Sequence, residues 1–433
     1  MSMSTTSRQT QQHFEDEAIP APAVVAAPVV PPTRRAQDAD GLLARYREAG
    51  YLVADINPLA RPGALALAPR GFVHQARGQD DASVHALELQ LRRSYCGGLA
   101  LNAAHVRNTA QRTWLHETLE ADPAPLPEAA RLDVYETLFA AERFEHAIAA
   151  AYPTHKRFSV EGSESYVLLL RRLLEAAAAG GARQVVIGMP HRGRVNVLAN
   201  VMGLSSDEIR SLYTESPAPG LAAWDIKEHL GLSRRLHLEA GVLDVLLAHN
   251  PSHLEAVTPV IAGMARALQD GAGAASRADV LPLIVHGDAS FSGQGIVTET
   301  LNLAGTRGYG VGGTVHVVLN NQIGSTVSNR RDARSTLSTA DVARAYDVPI
   351  LHVNGDRPEL VVHAAQVAVA FRQRFQADIL VDLIGYRRHG HNGHDDPRVT
   401  QPAMQRLVRA LPSVVQQQRA QLERQGGDWP ARL

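Results

Sequence analysis

The chain has 433 residues, room for more than one domain, and a formal charge of −1 at neutral pH. That balance sets up no global field toward nucleic acid or an anionic membrane, and no apolar run approaches the ~18 residues of a membrane span. A single cysteine, Cys96, excludes an internal disulfide, and the opening "MSMSTTSRQTQQHFEDE" lacks the basic-then-apolar order of a signal peptide, so a cytoplasmic protein is expected.

Residues 1–36 turn from polar to "AIPAPAVVAAPVVPP", a composition that cannot build a core and reads as a disordered, semi-rigid tether. Next comes "ADGLLARYREAGYLVADINPLARP", whose Leu42, Leu43 and Tyr46 have the spacing of an amphipathic helix ending near Gly50. "RTWLHETLEA" and "VYETLFAAERFEHAIAAAY" keep the helical period, so residues 37–155 are expected to form a mainly helical N-terminal region. Basic residues are almost all arginine. Lys156 and Lys227 are the only lysines, which points to a GC-rich bacterial genome and leaves few amines for Schiff-base chemistry.

From Lys156 short β-branched runs alternate with helical stretches. The strand candidates are "RQVVIGM", "GVLDVLLAHN", "LPLIVHGD", "TVHVVLNN", "PILHVNG" and "DILVDLIGY". Nearly continuous apolar strands separated by helices predict an α/β fold with a doubly wound, mostly parallel sheet over residues 156–402, followed by a helical tail at 403–433. Ligands of such sheets sit at the carboxyl ends of the strands. The strand candidates run into polar segments there: Met189–Arg194, His249–His253, Gly287–Ser290, Asn320–Ser325 and Arg387–Asp396.

Several common sites are excluded. The chain has no G-x-x-x-x-G-K-[ST] phosphate loop and no G-x-S-x-G nucleophile elbow. Gly308, Gly310 and Gly313 fit G-x-G-x-x-G but precede a strand instead of following one, so the match is read as chance. Asp288 and Asn321 are more informative. Mg2+ takes about six oxygens, often from one or two carboxylates plus substrate phosphates. Asp288 and the Asn321 amide each offer one oxygen, and the Ile323 carbonyl can add another. Glycines at 287, 293 and 295 leave room for diphosphate oxygens near backbone N–H groups. The plainer alternative is that Asp288 caps a helix and the asparagines form a turn.

Longer blocks carry a resemblance. "YLVADINPL", "KRFSVEG", "GMPHRGRVNVLANV", "NPSHLEAVTPV", "HGDASFSGQGIVTETLNLAGTRGY", "GGTVHVVLNNQIG", "DARST" and "YRRHGHNG" together resemble the thiamine-diphosphate-dependent, decarboxylating first component of the 2-oxoglutarate dehydrogenase complex. The likeness runs from about Tyr51 to Pro402, and the first two blocks set this family apart from the related pyruvate and branched-chain enzymes. It implies that Asp288, Asn321 and the Ile323 carbonyl hold Mg2+, and that Ala289 and Ser290 meet the diphosphate side of the cofactor. Ser252 and Leu254 line the cofactor pocket, and Arg192, His229 and His253 face the substrate, with Arg192 also bordering the cofactor. The implied reaction is a citric acid cycle step: decarboxylation of 2-oxoglutarate, with transfer of the succinyl group to a lipoyl group on a succinyltransferase partner. His191, His249 and His286 are given no role.

The sequence departs from that family near the site. Ser290 stands where alanine is usual, Glu228 where an aromatic is usual, and His249 and Ser325 where phenylalanine is usual. "RSTLSTAD" lacks the usual Pro-Tyr-Cys, and Gly393 and Asp396 replace usual acids. The family's chain normally continues into a pyrimidine-binding domain that supplies a glutamate to the cofactor. The resemblance therefore implies a diphosphate-domain half, completed by a homodimer mate or a hetero-partner carrying the pyrimidine domain. The alternative is a catalytically silent binding or scaffold protein. "HGHNGHDD" has zinc-ligand residue types, yet most of the block is family sequence after a strand and only His394 is extra, so no separate zinc site is expected.

Overall fold

The computed structural model describes residues 39–60, 82–121, 124–214, 227–271, 277–324, 327, 332–390 and 396–425. The tether expected over residues 1–36 lies outside them. Eight strands form one sheet: β1 (Leu99–Asn102), β2 (Gln184–Gly188), β3 (Leu232–Leu238), β4 (Gly241–Leu247), β5 (Val280–Gly287), β6 (Val315–Asn320), β7 (Ile350–Asn354) and β8 (Ile379–Ile384). Their order is β1-β7-β8-β6-β5-β2-β4-β3. The inner six are parallel, whereas β1 pairs with β7 and β3 with β4 antiparallel.

All six strands read from the sequence are these inner six. The runs of β2, β5, β6, β7 and β8 are nearly continuous because both faces are covered, whereas β4 is buried at alternate positions. Leu281, Leu283 and Val285 of β5 pack with the helices Ser165–Ala179 and Pro358–Phe375. On the opposite face Val280 and Ile284 meet the helix Val257–Gly271, while Val318 of β6 meets Val297 and Leu301 of the helix Gly295–Ala304.

The two antiparallel edges were not anticipated. Strand β1 is four residues long and lies inside the region read as helical, and it pairs with residues some 250 positions later (Leu99 with Val353). In β3, half-buried and exposed residues alternate, and Arg234 and Arg235 break the apolar signal. The helices Ala39–Ala49, Thr109–Glu120 and Glu128–Ala151 form where the period placed them, and the tail forms Pro402–Ala410 and Val414–Gln425. Among the described residues no helix is long and apolar enough to cross a membrane.

The topology creates a crevice. From β2 the chain moves outward to β4, then returns across β2 to β5. The helix after β2, Arg194–Asn200, packs on one face, and the helix Gly295–Ala304 after β5 packs on the other. The carboxyl ends of β2 and β5 therefore open a gap at the strand-order reversal, where ligands bind in such sheets. The turn containing Gly308, Gly310 and Gly313 precedes β6, at the other end of the sheet. Gly313 has φ +83°, and a Cβ there would lie 2.4 Å from the Ala377 carbonyl oxygen.

Candidate active site

Neighbouring parallel strands set up the first part of the site. The register Gly287↔Leu319 makes Asp288 and the asparagine pair adjacent where β5 and β6 end. Asp288 is 4% exposed, and its main-chain oxygen accepts a hydrogen bond from the Thr339 hydroxyl. Burial pushes its carboxyl up to about 7, with Arg334 drawing it down and Asp382 pushing it up. A buried carboxylate of this kind is stabilised by a cation.

The two asparagines divide their work. Asn320 Nδ2 donates to Asp382 Oδ1 at 2.9 Å, and its Oδ1 accepts the Gln322 N–H at 3.2 Å. Asn321 is half-buried, and its Oδ1 accepts the Ile323 N–H at 3.1 Å, leaving a second lone pair. Gln322 between them is left-handed, with φ +64°. The turn anticipated as the plainer alternative is thus present, and it still leaves one carboxylate, one amide oxygen and one carbonyl on adjacent loops. That hard-oxygen set suits Mg2+. Beside it, a Cβ on Gly293 or Gly295 would meet nothing within 4 Å, so space remains for an anion.

The crevice contributes the second part. His253, Leu254, Glu255 and Ser290 line a small cleft with Pro190 and Asn250. Ser252, His253, Leu254 and Ala289 are exposed, and Leu254 is 48% exposed despite its apolar side chain. His229 is half-buried, and its carbonyl accepts the Asn250 N–H at 3.1 Å, which ties it to this loop. Arg192 is buried and donates from Nη1 to the Ser159 carbonyl at 2.7 Å.

Five buried residues that hold these loops were given no role in the sequence reading. Arg194 is 0% exposed and donates to the carbonyls of Met189, Leu230 and Ala248 at 2.5, 2.7 and 3.0 Å. These three oxygens lie beside Arg192, His229 and the Asn250 loop. Burial lowers the guanidinium to about 10. Glu255, in the left-handed region at φ +65°, takes the Ser290 hydroxyl at 2.5 Å and lies 2.6 Å from His286 Nδ1. Burial alone would raise its carboxyl, but His286, Ser290 and Thr258 together hold it below the usual range. His286 Nε2 continues to His316 Nδ1 at 3.0 Å, and His316 Nε2 lies 3.5 Å from Asp378. Asp382, 1% exposed, joins Asn320 to His352 Nδ1 at 2.8 Å. A polar residue inside an otherwise apolar strand, as in "LIVHG" and "ILVDLI", was the available signal.

Most of the departures become local bonds. Ser290 clasps Glu255. His249 Nδ1 accepts the Gly231 N–H at 3.1 Å. Glu228 is buried and lies 3.1 Å from Lys227 Nζ, so the added anion is paired. Ser338 reaches Asp382 at 3.4 Å, and Thr339 holds the Asp288 carbonyl. Asp396 caps the helix Pro397–Thr400 through the Arg398 N–H at 2.9 Å. Ser325, Gly393 and the histidines 391 and 394 lie outside the described residues. Among those described, no group of three or more histidine, cysteine, aspartate or glutamate side chains is arranged to hold a metal ion.

A family profile described as dehydrogenase E1 component matches residues 136–428. The chain is 42% identical over 398 residues to the 2-oxoglutarate dehydrogenase E1 component of Cupriavidus necator, covering 88% of this chain and 42% of that protein. It is 36% identical over 408 residues to the 2-oxoglutarate dehydrogenase E1 component of Coxiella burnetii, covering 90% and 44%. It is also 40% identical over 394 residues to a multifunctional 2-oxoglutarate metabolism enzyme of Mycolicibacterium vanbaalenii, covering 85% and 31%. The chain spans less than half the length of each of these relatives.

Proposed function

The chain belongs to the dehydrogenase E1 component family, and on that premise we propose that it forms the Mg2+- and diphosphate-binding side of a thiamine-diphosphate site for oxidative decarboxylation of 2-oxoglutarate. The observation that carries this reading is the oxygen set at the ends of β5 and β6: the buried Asp288 carboxylate, the free lone pair of Asn321 and the Ile323 carbonyl. Thiamine diphosphate, when bound, supplies the electron sink that decarboxylation of a 2-oxo acid requires. In this reading Asp288, Asn321 and Ile323 hold the ion, and Ala289 and Ser290 border the diphosphate. Ser252 and Leu254 line the pocket, while Arg192, His229 and His253 bind and orient the dianionic substrate. A distal carboxylate is matched by cationic and hydrogen-bonding groups. The natural acceptor is a lipoyl group on a succinyltransferase partner, in the cytoplasm of a bacterium.

The exposed Ser252, His253, Leu254 and Ala289 leave one side of the pocket open to a second protein surface, which carries the pyrimidine-binding role. The division into a tether at 1–36, a helical region at 37–155, a diphosphate domain at 156–402 and a tail at 403–433 belongs to the same proposal. The departures favour an enzyme over a silent scaffold, because Ser290, Ser338 and Thr339 each bond a residue of the site. Calorimetric titration of thiamine diphosphate, with and without MgCl2, tests the proposal. Binding is expected only with the ion, and Asp288→Ala is expected to abolish it. Equal binding by wild type and variant, or binding indifferent to the ion, overturns it.

A further inference from the structure

The block "YLVADINPL" helps to define the family, yet none of its residues belongs to the site described above. In the fold it lies across the carboxyl ends of β7, β8 and β6 as a strap. Asp55 N–H donates to the Cys96 carbonyl at 3.1 Å, and Asn354 Nδ2 donates to the Asp55 carbonyl at 3.0 Å. Two branches leave this strap. In the first, Asn57 Oδ1 accepts from Gln322 Nε2 at 2.8 Å, and that same Nε2 reaches the Gly385 carbonyl at 2.9 Å. In the second, the Tyr51 ring stacks on His352 at 5.7 Å, His352 Nδ1 meets Asp382 Oδ2 at 2.8 Å, and Asp382 Oδ1 takes Asn320 Nδ2 at 2.9 Å. The branches end on Asn320 and Gln322, the residues on either side of Asn321.

We propose that Asn57 and Tyr51 are positioning residues for the metal loop, with the strap holding Asn321 and the Ile323 carbonyl in their binding geometry. The inference rests on the cofactor reading above. Its physical basis is the left-handed Gln322, a conformation that a non-glycine residue keeps only when its surroundings hold it there. Gln322 has two side-chain anchors, and one of them comes from a segment 265 positions away in sequence. Without that anchor the backbone is free to leave the left-handed region, and this turns the Ile323 carbonyl and the Asn321 amide away from a shared ion. Residues outside the site thereby set its affinity.

The test uses the full chain, with thiamine diphosphate and MgCl2 as the probe. Asn57→Leu removes the acceptor, Asn57→Asp keeps one, and Gln322→Met removes the same bond from the other end together with the one to the Gly385 carbonyl. Losing the shared hydrogen bond is expected to weaken cofactor binding by about tenfold in Asn57→Leu, and losing both anchors by at least as much in Gln322→Met. Asn57→Asp is expected to stay near wild type, and the double variant Asn57→Leu/Gln322→Met to be no weaker than Gln322→Met alone. Hydrogen–deuterium exchange of the peptide spanning residues 320–324, without ligand, is expected to quicken in Asn57→Leu at an unchanged unfolding midpoint. If Asn57→Leu does not fold, Gln322→Met gives both readouts. Additive losses in the double variant, or wild-type exchange in both single variants, overturn the strap. Faster exchange alongside a wild type that binds no cofactor supports the strap and overturns the cofactor reading.

Discussion

Two buried charges illustrate opposite solutions to desolvation. Arg194 has no acid beside it and relies on three carbonyls, each from a different loop of the site. Arg194→Met strands all of them, at about 1 kcal/mol or more each. A loss of about 3 kcal/mol is expected from urea unfolding, and an unchanged midpoint would show that the carbonyls find other partners. Glu164 instead stays neutral. It is buried before the helix Ser165–Ala179, accepts the Gly162 N–H at 3.0 Å, and is raised by burial to about 8. The folded chain therefore holds a proton that the unfolded chain releases near 4.5, so this group makes stability fall as pH rises from 4.5 to about 8. Glu164→Gln keeps the acceptor and removes the titration. The variant is expected to lose less stability than wild type between pH 5 and 8.5. Parallel profiles would mean that Glu164 is already ionised in the fold.

The inner strands were legible because burial on both faces favours apolar residues at most positions, and β4, though alternately exposed, keeps an apolar run. The edges were not, because β1 is too short to show a pattern and the charges of β3 resemble a loop. The site was legible in part for the same reason. Asp288 stands at a helix start, and Asn321 and His253 in loops, where a polar residue after an apolar run is conspicuous. Asp382 and His286 are buried within strands, and their partners Asn320 and Glu255 lie 62 and 31 positions away. Pairings over such distances are set by strand order, which a linear pattern does not contain. Glycines separate folding from function at this scale. Gly313→Ala places a Cβ 2.4 Å from a carbonyl oxygen at φ +83°, and a loss of at least about 2 kcal/mol in thermal unfolding is expected. Gly293→Ala meets nothing within 4 Å, so stability should hold within about 0.5 kcal/mol while cofactor binding weakens. Equal thermal losses in both would detach Gly293 from the diphosphate.

At the scale of the molecule, the segments after β2, β4 and β5 line one crevice with the β6 loop next to β5, and the substrate groups assigned to it are polar: Arg192, His229 and His253. A substrate without a distal carboxylate leaves those groups unmatched, at about 1–3 kcal/mol for each one stranded. With a pyrimidine-side domain supplied in trans and an artificial electron acceptor, carbon dioxide release is expected to favour 2-oxoglutarate over pyruvate. Pyruvate turnover at or above that of 2-oxoglutarate would remove the cluster from substrate selection.

The pairing of β1 with β7 also sets a clock. Leu99 must wait for Val353, and the strap at Tyr51–Leu59 must wait for the Gln322 loop and the end of β7. Ribosomes add about 5–20 residues per second, so β1 leaves the exit tunnel roughly 13–50 s before its partner exists. During that interval its three apolar residues and the strap have only local helices to shelter them. The segment that we propose positions the metal loop is thus made before every residue of the site, and it is placed only once the Gln322 loop and the end of β7 exist.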